Sequence, residues 1–194
     1  MTNTLIAKIT PFVTDMIRAD HTKVVALFHQ YKADSHPIKK KAFVESICTL
    51  LLTHSIAEDE IFYPAMREAL PSVIKHRYDE QHEVEAAAET LKAMKPSVPD
   101  YDDRVYALMK SVLHHVAEEE CVVLPTAERI FDHMKLGELG AQFNKRRHQL
   151  MIERMKPVER ARDYVKDHPL QLALGGIMLA FAVAPLLMQQ RGRV

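Results

Sequence analysis

The chain has 194 residues, enough for one bundle with an appendage and too few for two ordinary domains. Lysine plus arginine balance aspartate plus glutamate at 26 each, and no basic stripe with interleaved aromatics stands out, so no nucleic-acid partner is expected. A hydrophobic share of 47%, with only 5 glycines and no tryptophan, fits an all-helical chain.

In chain order, the start MTNTLIAKITPFVTDMI lacks a basic segment followed by an apolar core and does not read as a secretory signal. A reducing cytosol is therefore the expected setting of the first part. Helical periodicity predicts helices over 11–33, 38–69, 71–95 and 101–134. Turn chemistry separates them at Asp34-Ser35-His36-Pro37, at Leu70-Pro71-Ser72 and at the Pro96 to Pro99 step. Pro64 and Pro125 are expected to kink or end the second and fourth helices. Gly137 and Gly140 mark a fresh start, followed by a fifth, charged helix over 142–165, bent at Pro157. The expected architecture is all-α: an up-down-up-down four-helix bundle over 10–136, a charged helical linker over 137–168, and a single transmembrane helix over 169–190.

The tail is read as an anchor for a physical reason. Residues 168–190 contain no Asp, Glu, Lys or Arg, and the apolar core LQLALGGIMLAFAVAPLLM would span ~28 Å as a helix, close to a bilayer's hydrocarbon thickness. The competing reading is a helix that covers the bundle, but that would protect only one side of an all-round apolar surface. Basic residues flank both ends: Lys156, Arg160, Arg162 and Lys166 before the run, Arg191 and Arg193 after it. They lean the orientation towards a cytoplasmic N-terminal part. The expected location is thus a membrane, through a single C-terminal pass.

One pattern is written twice. His21 is followed after 33 residues by His54 and four later by Glu58; His82 is followed after 33 by His115 and four later by Glu119. The offset between copies is 61, and it carries Leu52 onto Leu113 and Pro64 onto Pro125. Residues four apart share a helix face, so each His-x-x-x-Glu pair aims an imidazole and a carboxylate at one point. Four histidines and two glutamates can then converge inside a bundle, where paired metal ions are held by facing helices. Imidazole and carboxylate suit iron or manganese, with zinc open on ligand type alone.

The segments RADHTKVVALF, LLTHSIAEDEIFYP, DEQHEVEAAAETL and LLHHVAEEECVVLP resemble the hemerythrin-like, HHE-type cation-binding domain. The resemblance implies a non-haem centre of two irons. His21 and His54 would bind one iron, His82 and His115 the other, and Glu58 and Glu119 would bridge them. Oxygen-carrying members have a fifth histidine four residues before the third-helix histidine. Here that position is Tyr78, leaving open positions that suit reaction with, or sensing of, oxygen, nitric oxide or peroxide, or iron handling, better than reversible oxygen carriage. An oxidoreductase that reduces peroxide or nitric oxide with electrons from a redox partner is the alternative. For Tyr78 itself, a weak ligand, a hydrogen-bond donor near the ligands and a packing residue are all open.

His29, His36, His76, His114, His133, His148 and His168 lack the repeat's register and read as surface or interhelix residues. Asp59, Glu60, Glu118 and Glu120 either orient ligand imidazoles or form a solvated acidic face. Cys48 and Cys121 are far apart, and neither a disulfide nor a thiol catalyst is expected.

Overall fold

The computed structural model describes residues 11–154. These form seven α-helices and two π-helical segments, with no strand among the described residues: α1 Val13–Gln30, α2 Pro37–Ala57, a π segment Glu58–Phe62, α3 Tyr63–Met66, α4 Pro71–Ala93, α5 Tyr101–Glu118, a π segment Glu119–Val123, α6 Leu124–Ile130 and α7 His133–Arg154. Helix α1 packs on α2, α2 on α4, α4 on α5, and α5 back on α1. Short connections make consecutive neighbours antiparallel, so the ring is the expected four-helix bundle.

Proline places the starts. Pro37 and Pro71 sit in the first turns of α2 and α4, where a missing N–H costs nothing and φ is preset. His36, expected as a surface or interhelix residue, caps α2: its Nδ1 accepts from the Ile38 N–H at 3.3 Å. At the same end of the bundle, Lys40 Nζ lies 2.9 and 2.8 Å from the two Asp102 oxygens. The Tyr31 hydroxyl donates to Asp102 as well. Three helix ends are tied by one carboxylate.

The interior holds two apolar clusters. One contains Val24, Phe28, Ile47, Leu51, Val84, Leu91, Leu108 and Val112. The other contains Ile17, Phe62, Tyr63, Ile74, Leu124, Leu139 and Phe143. Along each bundle helix a polar position falls between them: His21 between Ile17 and Val24, His54 and Glu58 between Leu52 and Phe62, Gln81 between Ile74 and Val84, His115 and Glu119 between Val112 and Val123. The apolar clusters supply the driving force of burial, and the layer between them carries the chemistry.

Three expectations need refining. Helical structure continues past Pro64 to Met66, where the second helix ends, and past Pro125 to Ile130. Each proline is preceded by a turn widened to π spacing, in which the Tyr63 N–H bonds the Glu58 carbonyl and the Leu124 N–H bonds the Glu119 carbonyl. A proline ring crowds the carbonyl four residues back, and the wider turn takes up that misfit. Second, the last helix starts at His133, not after the glycines. Phe131 is extended, and Asp132 Oδ1 accepts the Lys135 N–H at 2.7 Å as the cap. Gly140 is there for close approach: a Cβ would lie 2.2 Å from the Pro11 carbonyl oxygen. Third, the described part of the expected charged linker also contributes to the core, since Leu139, Phe143 and Leu150 are buried in the second cluster.

The expected anchor at 169–190 lies outside the described residues, as does Pro157. No helix among the described residues is long and apolar enough to cross a membrane.

Candidate metal centre

Two helix ends and one helix middle build the site. His54 and His115 occupy the last turns of α2 and α5. Glu58 and Glu119 open the two π segments and have no exposed surface. His21 comes from the middle of α1. Widened turns of this kind often occur at functional positions, and here the internal repeat places one at each glutamate.

Ligand atoms of His21, His54, Glu58 and Glu119 all lie within 4.8 Å of one another. His21 Nε2 is 3.3 Å from Glu119 Oε2, His54 Nε2 is 3.2 Å from Glu58 Oε1, and His115 Nε2 is 3.7 Å from Glu119 Oε2. The His21 and His54 rings meet edge to face at 5.1 Å. All three imidazoles therefore present Nε2 towards the two carboxylates.

Acidic residues stand beside the far nitrogens, within hydrogen-bond distance for His21 alone. His21 Nδ1 lies 2.8 Å from Glu120 Oε1, and His54 Nδ1 lies 3.6 Å from Asp20 Oδ2. Such contacts fix ring orientation and raise the basicity of the nitrogen that faces a metal. Of the four carboxylates considered from the sequence, Glu120 takes this role. Asp59 contacts His82, Glu118 pairs with Arg77, and Glu60 pairs with Arg146 at the surface. Asp20 escaped the sequence reading. It is buried on α1 and anchored by Arg147 Nη1 at 2.5 Å to each oxygen. The apolar stripe Val13, Ile17, Val24, Phe28 brackets position 20 as closely as 21, and that was the available signal.

His82 does not join the cluster. Its side chain is 64% exposed, with Nε2 3.6 Å from Asp59 Oδ2, in a group with Asp59 and Glu85. The inward position on α4 belongs to Gln81, whose Nε2 donates to the Ser55 carbonyl at 2.8 Å and to Asp59 Oδ1 at 3.0 Å. Gln81 Oε1 accepts from the buried Tyr63 hydroxyl at 3.0 Å. The buried positions of α4 are 74, 77, 81, 84, 88 and 91, and one residue further turns about 100° round the helix. The 61-residue offset pairs Asp20 with Gln81 and His21 with His82. Helix α1 buries both members of its pair, whereas α4 buries only the first. Tyr78 donates to the Asp59 carbonyl at 3.1 Å and packs edge to face on Tyr63, so it supports the π segment.

Charge is unevenly shared. Burial, with Glu119 and Asp59 close by, pushes the Glu58 carboxyl well above the ordinary range. Burial works the same way on Glu119, but the His21 contact and the charges of His115, His21 and His54 outweigh it and hold that carboxyl at about 2. Burial lowers His54, and lowers His115 to about 4. For His21, contacts with Glu119 and Glu120 overcome burial and raise it. Two carboxylates so close in a dry layer favour a cation between them.

The donor set fits a metal. Nε2 of His21, Nε2 of His54 and all four oxygens of Glu58 and Glu119 are buried without a directed hydrogen bond. Buried polar atoms normally have partners, and a bound cation would satisfy these.

Comparison with known proteins agrees. Residues 13–127 match the family model described as the hemerythrin HHE cation binding domain. A DNA nickase from Nostoc sp. is 37% identical over 109 residues, covering 56% of this chain and 31% of that protein, so the chain spans less than a third of the relative's length. The crystal structure of a hemerythrin HHE cation binding domain-containing protein from Mycobacterium kansasii is similar in fold, with a TM-score of 0.63 at 20% identity over 81% of this chain and 94% of that one. With the family model covering most of the bundle, this chain belongs to the hemerythrin HHE cation-binding family.

Proposed function

We propose that the chain is a non-haem diiron protein that binds or reacts with a small molecule of the size of oxygen, nitric oxide or peroxide. The observation that carries this reading is the orphaned donor set. Nε2 of His21 and His54 and all four oxygens of Glu58 and Glu119 lack directed hydrogen bonds, and His115 Nε2 stands 3.7 Å from Glu119 Oε2; one His-x-x-x-Glu pair from each half of the repeat supports two ions, with Glu58 and Glu119 as bridges. His21, His54 and His115 are the proposed imidazole ligands, supported by the approach of each Nε2 to Glu58 or Glu119. His82 is the sixth ligand, exchanging its contact with Asp59 for the metal.

The ligand class follows from the space beside the cluster. A cavity of about 20 Å³ is lined by His21, His54 and His115 on one side and by Val24, Leu51, Val84 and Val112 on the other. It is on the scale of one water and suits a diatomic molecule better than an organic substrate. The same metals would support iron handling, and the uncharged run over 168–190 supports a membrane location. DNA nicking is described for a protein more than three times the matched length and is not carried over to this module.

The test is elemental analysis of the purified protein followed by titration of the reduced form with nitric oxide. Two irons per chain and an iron-nitrosyl spectrum that forms stoichiometrically are expected. A chain loaded with iron but silent towards nitric oxide, oxygen and peroxide overturns the small-molecule reading.

A further inference from the structure

We propose that small ligands reach the His/Glu cluster through the groove between α4 and α5, crossing between Val84 and His115. The inference rests on the reading of that cluster as the metal site and adds the route to it. Two spaces meet at one partition. The inner cavity touches His21, His54 and His115, and a groove of about 480 Å³ runs along the outside of α4 and α5; Val84 and His115 line both. The exposures of the three imidazoles point the same way. The side chains of His21 and His54 are 4% and 8% exposed, and that of His115 is 11%. The site is most accessible where the groove touches it.

Each wall of the groove carries a small side chain. Ala87 on α4 and Ala107 on α5 are both exposed and both line it. Glu80 and Glu83 line the α4 side and Arg104, Ser111 and His114 the α5 side, so the groove carries both signs of charge and suits a small neutral molecule, with azide as the spectroscopic probe. A larger solute is held in the groove by the partition, because the inner cavity takes only a molecule of a few atoms.

Azide association with the ferric protein, followed by stopped-flow absorbance of the ligand-to-metal band, tests the route. Ala87→Leu with Ala107→Leu fills the groove at exposed helical positions that tolerate leucine, and should slow association by about tenfold with iron content and final amplitude unchanged. Val84→Ala should accelerate it. Ala26→Leu, the same change on an exposed position of α1, should leave the rate alone. Unchanged rates in both the filled and the opened variants overturn the route while leaving the metal reading intact. A parent protein that holds no iron, or shows no azide band, overturns both.

Discussion

Arg147 on α7 grips Asp20 on α1, with Nη1 2.5 Å from each carboxylate oxygen, and Asp20 in turn stands 3.6 Å from Nδ1 of His54. Phe143, one turn earlier on α7, meets the His54 ring edge to face at 6.1 Å. The helix that follows the bundle therefore touches both the His54 ring and its neighbouring carboxylate. Arg147→Ala would leave the buried Asp20 carboxylate with only the exposed Lys23 ammonium at 3.1 Å, and a loss of ~2–3 kcal/mol is expected, since the guanidinium itself is partly exposed. Asp20→Asn should cost less stability but weaken metal binding about 10-fold or more. Denaturant titration and metal titration separate the two effects; identical metal affinity in Asp20→Asn and wild type would remove Asp20 from the site.

Iron content should sort the carboxylates. Glu58→Ala and Glu119→Ala each remove a candidate bridge and are expected to lose most of the iron. Glu60→Ala breaks only the surface pair with Arg146 and should retain all of it. Glu120→Ala, which frees His21 Nδ1, is expected to lower affinity without abolishing occupancy. His82→Ala should leave about half the iron; full occupancy in that variant would show that the second ion does not use His82.

Acid stability has a contributor far from the cluster. Burial opposes ionisation of Asp102, but hydrogen bonds from Lys40 and Tyr31 win and hold its carboxyl below the ordinary value. A depressed folded value means the contribution is complete above the unfolded carboxyl pKa of ~4 and is lost as pH falls through the folded value. Asp102→Asn should reduce stability at neutral pH by ~1–2 kcal/mol, with the difference from wild type shrinking as pH drops below about 4. A difference that stays constant down to the acid transition would refute this linkage.

Gly140→Ala asks whether α7 belongs to the bundle. A Cβ placed 2.2 Å from the Pro11 carbonyl oxygen, with Val13 N at 3.1 Å, meets backbone and cannot be accommodated by a side-chain rotation. A destabilisation of ~1–3 kcal/mol is expected, although alanine is intrinsically the better helix former. Thermal unfolding decides it: a higher melting temperature would show that α7 packs less closely.

Much of this was legible because the repeat is written in ligand-type residues. The spacing of His54 with Glu58 and of His115 with Glu119 brought both pairs to one layer, as one helix face requires. At His82 the repeat and the burial pattern part company, because burial follows the local apolar stripe. Ile74, Val84, Ala88 and Leu91 turn Gln81 inward. The prolines were visible, but the widened turns before them were not, since a helix can answer a proline in several ways. Asp20 and Arg147 are 127 residues apart, and no local pattern joins them. The glycines on α7 looked like a boundary until the backbone that Gly140 accommodates was known.

The tail gives the last prediction, sharpened by the packing of α7. An uncharged run of membrane-spanning length flanked by basic residues should anchor the protein by its all-round apolar surface, without helping to build the site. Deleting the residues after Val165 should then yield a soluble protein with full iron content. Deleting from His133 onwards should not, because it removes Phe143 and Leu150 from the core and Arg147 from Asp20. The full chain should sediment with membranes and resist carbonate extraction. If it is soluble without detergent, or if truncation after Val165 already sheds the iron, residues 169–190 serve the bundle and the anchor is wrong.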